Sequence, residues 1–137
     1  MNEVNLLEAF ARYKVKSSSR ARSALTEDRA LVLSCFYARF HRAGAGVLTY
    51  EEDLAGDTGS IATLMRTHLS EALNNELDVK VIIAMPAERV RSLETVPATP
   101  ARAPRMTFHA RMDLVGRVTF FDGSRFRVEF RKADAAA

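Results

Sequence analysis

The last thirty residues of this chain repeat with a period of two, and that constrains the fold more than any other feature. The even-numbered residues Met106, Phe108, Ala110, Met112, Leu114, Gly116, Val118 and Phe120 form one apolar row, and Phe126, Val128 and Phe130 form a second. Such alternation belongs to β-strands with one face buried. Asp122, Gly123 and Ser124 separate the rows and mark a hairpin turn. A two-residue Asp122-Gly123 loop would set Phe120 opposite Arg125 and put the rows out of phase. A three-residue loop instead pairs Phe120 with Phe126 and Val118 with Val128. The three-residue loop, or a two-residue turn with an added bulge, is the expected arrangement.

The opposite face of that hairpin then carries Arg117, Thr119, Phe121, Arg125, Arg127, Glu129 and Arg131. Arg105, His109 and Arg111 extend it if the preceding strand continues the sheet. Arginines around an exposed aromatic can neutralise phosphates and stack an unpaired base. An ordinary solvated strand face has the same composition, with Arg117 opposite Glu129 and Phe121 beside Arg125.

Upstream, Leu6, Phe10 and Tyr13 fall at helical spacing within residues Asn5 to Tyr13, which predicts a short helix. Lys14 to Ser23 has no period and reads as a loop. Ala30 to Phe40 is apolar on both parities, the pattern of a strand covered on both faces and the expected centre of the sheet. Val47 to Tyr50 should pair back on it across the glycine turn. Ile61, Leu64, Met65, Leu69, Ala72, Leu73 and Leu77 trace the clearest amphipathic helix, with Ser60 or Thr58 as N-cap. Asp78 to Met85 reads as a strand that Pro86 stops. Three prolines between Val96 and Pro104 favour an extended connector. The prediction is one α+β domain over residues 1–137. It has a mixed or mainly antiparallel sheet of five or six strands, one long amphipathic helix packed across it and a short N-terminal helix. The connector at 96–104 leads to a hairpin region at 105–132.

The net charge of +3 is small but unevenly spread. Arg12 to Arg22 holds five cations and no acid, Glu51 to Asp78 holds seven acids against Arg66, and Arg102 to Lys132 holds eight cations against Asp113, Asp122 and Glu129. This polarity is the footprint expected of a polyanion binder. Lys14, Lys16, Arg20 and Arg22, interleaved with three serines, offer a second phosphate-contacting segment.

Several chemistries find no support. Cys35 is the only cysteine, and with His41, His68 and His109 it makes no zinc spacing, so no metal or other cofactor is expected. No apolar run is long enough to span a bilayer, and the first 25 residues carry Glu3 and Glu8 where a signal peptide would be apolar. A cytoplasmic protein without membrane contact is expected. The stretch Gly56 to Ser60 lacks the lysine of a phosphate loop, and Glu51, Glu52, Asp53 and Asp57 precede it. There is no Gly-x-Ser-x-Gly elbow. A Mg²⁺-dependent nuclease built from Asp53 or Asp57 with Asp78 and Lys80 stays open as an alternative. His68 lies on the apolar stripe of the long helix and fits a hydrogen-bonded position at the core edge. Cys35 fits a small buried hydrophobe.

The opening "NLLEAFARY" and the ending "DLVGRVTFFDGSRFRVEFR" resemble those of small bacterial proteins without an assigned activity. The resemblance implies a self-contained module and carries over no catalytic or binding residue. At fold level the β-rich ending is also similar to PUA-like barrels, a fold used in nucleic-acid binding. The expected function is a non-catalytic module that contacts nucleic-acid phosphates through Lys14, Lys16, Arg20, Arg22, Arg111, Arg117, Arg125, Arg127 and Arg131, with Phe121 as the stacking ring. The alternative is a protein-interaction module, whose hairpin packs on a second copy or an acidic protein partner, or which inhibits a nucleic-acid-handling enzyme.

Overall fold

A computed structural model describes residues 5–15, 21–44, 46–86 and 106–133. The expected proline connector, Lys16 and Arg20 lie outside these. The described residues form helix α1 (Leu6–Arg12), strands β1 (Ser23–Leu25) and β2 (Leu31–Phe36), a 3-10 turn (Tyr37–Arg39), and strands β3 (Phe40–Gly44) and β4 (Val47–Asp53). Helix α2 (Ser60–Asn74) follows, then β5 (Val79–Pro86), β6 (Met106–Ala110), β7 (Leu114–Phe121) and β8 (Arg125–Lys132). The fold is α+β with a mostly antiparallel sheet, and among the described residues eight strands replace the five or six expected.

The strand order is β1-β2-β5-β7-β8-β4-β3, with β6 also on β5; β2 and β5 are parallel. Residues 30–40 are therefore not one central strand. The chain leaves β2 at Phe36 and re-enters the sheet at Phe40, on its far edge. Five strand spacings of a flat sheet would cover roughly 24 Å, whereas four extended residues reach at most about 14 Å. The sheet must curl until its ends approach. Cross-links between the ends confirm this. The Phe36 N–H donates to the Tyr50 hydroxyl at 3.1 Å, and Arg22, just before β1, reaches Glu52 on β4.

The curl creates an inner and an outer face. Leu31, Leu33, Val79, Val81, Tyr50, Phe126, Val128 and Phe130 point inward and pack with Met65 and Leu69 of α2. On the outer face α1 covers only the β2, β5 and β6 side, burying Phe10 and Leu6 against Val32 and Ile82. Asn5 caps α1 through the Glu8 N–H, and Glu8 returns the bond. The N-cap of α2 is Gly59, without a side-chain cap, in place of Ser60 or Thr58.

Two phase shifts alter the expected faces. β6 pairs with β5 as Ile82↔Ala110, but β7 resumes as Val79↔Gly116. The Arg111–Asp113 excursion thus inserts three residues, an odd number, and reverses parity. Phe108 packs on the outer cluster while Leu114 and Val118 pack inside. His109, paired with Ile83, faces inward and not with the hairpin arginines. The second shift lies in the hairpin. Val118 pairs with Val128 as expected, but the register then jumps, so that Phe120 meets Arg127 and Phe121 meets Phe126. Thr119 is the extra residue of a β-bulge, and the Asp122 N–H closes the turn on the Arg125 carbonyl, the two-residue turn with an added bulge instead of the three-residue loop. Phe121 turns inward against the core, and Phe120 turns out, 42% exposed.

The hairpin buries its apolar row in the chain's own core, so its stability needs no second copy.

Candidate functional site

On the outer face beyond α1, cross-strand rows follow from the registers. One row holds Asp53 and Arg125. The next holds Glu51, Arg127 and Phe120, and the one after it His41, Thr49, Glu129 and Arg117. Two residues further along β8 lies Arg131, paired with Val115; the Val79↔Gly116 step sets Lys80 beside that valine. Acids of β4 thus stand opposite arginines of β8. The acidic and basic blocks seen along the chain are adjacent strands of one sheet.

The pairs close at hydrogen-bonding distance. Arg127 Nε donates to Glu51 Oε2 at 2.6 Å. Arg117 donates to Asp78 at 3.0 Å, with Glu76 at 3.9 Å, although its partner in the strand register is Glu129. Arg111 forks onto Asp113 through two bonds of 2.9 and 2.8 Å. Arg125 stands 3.9 Å from Asp53. These charges fix pKa directions. The Arg127 hydrogen bond and charge, followed by His41 and Arg125, hold the Glu51 carboxyl below its usual range. The Arg111 fork lowers Asp113 to about 2.

Arg22 does not belong to this surface. Its side chain is 21% exposed and forks onto Glu52, which is 9% exposed, with Nη1–Oε2 at 2.7 Å and Nη2–Oε1 at 2.9 Å. It also donates to the Ser34 carbonyl and lies 4.9 Å over the Phe36 ring. The Tyr50 hydroxyl donates to Glu52 at 2.6 Å, completing a clasp across the two ends of the curled sheet. Burial pushes the Glu52 carboxyl up, but the Arg22 hydrogen bond and charge more than offset it, so Glu52 sits below its usual range. The same burial pushes the Tyr50 phenol up. Arg22 is thus engaged in an internal pair, and Phe121 turns inward against the core, away from the outer-face arginines.

The structure brings other residues into their place. A groove of about 590 Å³ opens on the outer face between the 3-10 turn and the start of β8, lined by Arg39, His41, Glu51, Asp53, Phe120 and Arg125 among others. Arg66 of α2 steadies its rim, donating to the Gly123 carbonyl of the hairpin turn at 2.9 Å and to that of Leu54 at 2.8 Å. Among the described residues Arg39, Arg131, Lys14 and Lys80 form no ion pair within 4.0 Å. Lys80 and Lys14 still act together on Asp28, whose carboxyl the Thr26 hydroxyl, first, and then these lysines hold down. Sequence reasoning placed Phe120 in the buried row and Lys80 only in the nuclease alternative. One signal was legible: of two adjacent phenylalanines on a strand with one buried face, one must point outward, and a bulge decides which.

Among the described residues, Asp53 and Asp78 of the nuclease alternative do not come together. Asp53 and Asp78 lie on β4 and just before β5, with β7 and β8 between them, a separation of roughly 14 Å across the sheet. Among the described residues no three His, Cys, Asp or Glu side chains converge on a metal position. Ser23 Oγ and His68 Nδ1 stand 2.7 Å apart, but Ser23 is buried, and the bond ties β1 to α2. Burial lowers the His68 pKa, with Glu71 opposing. No helix among the described residues is long and apolar enough to cross a membrane. Comparison with protein-family models, curated proteins and solved structures returned no significant match.

Proposed function

We propose that the chain is a non-catalytic nucleic-acid-binding module whose outer sheet face takes a phosphate backbone along Lys14, Lys80 and Arg131, flanked by Arg117, Arg125 and Arg127. One observation carries this reading. Lys80 and Arg131 flank Val115 on the outer face with no carboxylate within ion-pair distance among the described residues, and Lys14, from the N-terminal basic segment, acts with Lys80 on the same carboxylate, Asp28. The flanking arginines keep donors in reserve. Arg127 spends its Nε on Glu51, and a guanidinium has four further N–H groups.

Internal pairing has a quantitative consequence. Of the cations this reading sets along the backbone, three (Lys14, Lys80 and Arg131) form no ion pair among the described residues, so log affinity against log salt should have a shallow slope of about −2 to −3. Fluorescence anisotropy with labelled DNA and RNA oligonucleotides across a salt series tests this. Lys80→Ala and Arg131→Ala should each reduce the magnitude of the slope by about 1 and weaken all sequences alike. If neither substitution changes binding, or no oligonucleotide binds at low salt, the reading fails.

A further inference from the structure

Charge alone leaves Phe120 unexplained. A bulge at Thr119 turns this ring out of the apolar row, 42% exposed, into a groove shared with Arg39, His41, Arg125 and Arg127. Bulges re-aim side chains beside binding sites. We propose that the surface is selective for single-stranded nucleic acid and that one unpaired base stacks on Phe120 inside the groove. The inference rests on the phosphate-binding reading above.

The layout of charge along β8 supports this polarity. At the groove each cation of the hairpin has an acid opposite, Arg127 with Glu51 and Arg125 with Asp53, so the local field is nearly balanced and gives a phosphate little gain. Four residues along, roughly 13 Å by strand rise, Arg131 and Lys80 form no ion pair within 4.0 Å among the described residues. A strand laid on this face would put its backbone at the Arg131 end and turn a base toward Phe120. A duplex cannot do so without extruding a nucleotide, whereas every unpaired base has a π-face to offer. Glu51 and Asp53 also choose among bases. Ionised carboxylates only accept hydrogen bonds. They match the exocyclic amino group of cytosine and have nothing to accept from the acceptor oxygen that thymine carries there.

The chain contains no tryptophan, so Phe120→Trp installs a single indole reporter that preserves an aromatic ring in the groove. Its emission should be quenched by oligo(dC), less by oligo(dT), and not by a duplex of equal length. In parallel, Phe120→Ala should weaken oligo(dC) binding by at least about fivefold while leaving duplex affinity within about twofold. Circular dichroism of both variants should match the parent protein. If Phe120→Ala leaves oligo(dC) affinity unchanged, or the indole stays unquenched while anisotropy reports binding, the stacking proposal is overturned and the phosphate reading survives. If the parent protein binds neither single strand nor duplex, both fall together.

Discussion

Glu51 and Glu52 are neighbours on β4, and each meets an arginine, Arg127 at 2.6 Å and Arg22 at 2.7 Å. Strand alternation sends them to opposite faces of the sheet. The outer pair is nearly half exposed, at 45% for Arg127 and 46% for Glu51, whereas the inner pair is 21% and 9% exposed. The same two residue types at the same distance therefore do different work. Water screens the outer pair and can replace either partner, so it contributes little to stability. The inner pair is largely shielded from water, carries a second fork bond and a tyrosine donor, and cannot lose one member without stranding the other.

The largest expected effect follows from that contrast. Arg22→Ala should destabilise the fold by about 3–5 kcal/mol by leaving Glu52 buried without its cation, measured by urea unfolding. The pH dependence sharpens the result. Glu52 is held below its usual carboxyl range, so the stability it adds is present above the unfolded value of about 4.3 and is lost as pH falls through the lower folded value. Glu52→Gln should flatten this acid limb while lowering stability at neutral pH. An acid limb unaltered by Glu52→Gln would mean that the clasp does not close the sheet.

Next in size is the difference between two adjacent rings. Phe121 packs against the core and Phe120 stands outside it. Phe121→Ala should cost about 2 kcal/mol, less than a fully buried phenylalanine because the ring is half-buried, and Phe120→Ala should stay within about 0.5 kcal/mol. Thermal unfolding of the two variants decides it. The reverse order would mean that the simple hairpin register holds and Thr119 is not a bulge.

These two rings also show how far the sequence could be read. Period two identified the strands, and the pairing of Val118 with Val128 followed from it, because burial of an alternating row depends only on neighbouring residues. The phase of Phe120 and Phe121 did not follow, since a bulge changes which face is buried without changing the alternation on either side. Lys80 was legible only as a possible nuclease residue, because its place beside Val115 depends on β5 joining β7, a contact between segments 35 residues apart. Arg22 was misread for a similar reason. Its carboxylate partner lies 30 residues away, across two sheet ends that come together only because a three-residue turn must carry the chain from β2 to β3. The charge blocks were visible as blocks, but an acidic strand laid against a basic one cancels most of the field that either suggests alone.

The smallest expected effect is also the one that most directly tests whether the outer arginines are available to a ligand. A double-mutant cycle on Glu51→Gln and Arg127→Ala should give a coupling of about 0.2–1 kcal/mol, shrinking further at high salt because both groups sit in solvent. A coupling of that size is small enough for a phosphate to displace, so Arg127 can leave Glu51 when a ligand arrives. A coupling above about 2 kcal/mol that salt does not reduce would instead mark a fixed structural pair like the Arg22 clasp. Arg127 would then be committed to the fold, leaving Lys14, Lys80 and Arg131 to hold the backbone without it.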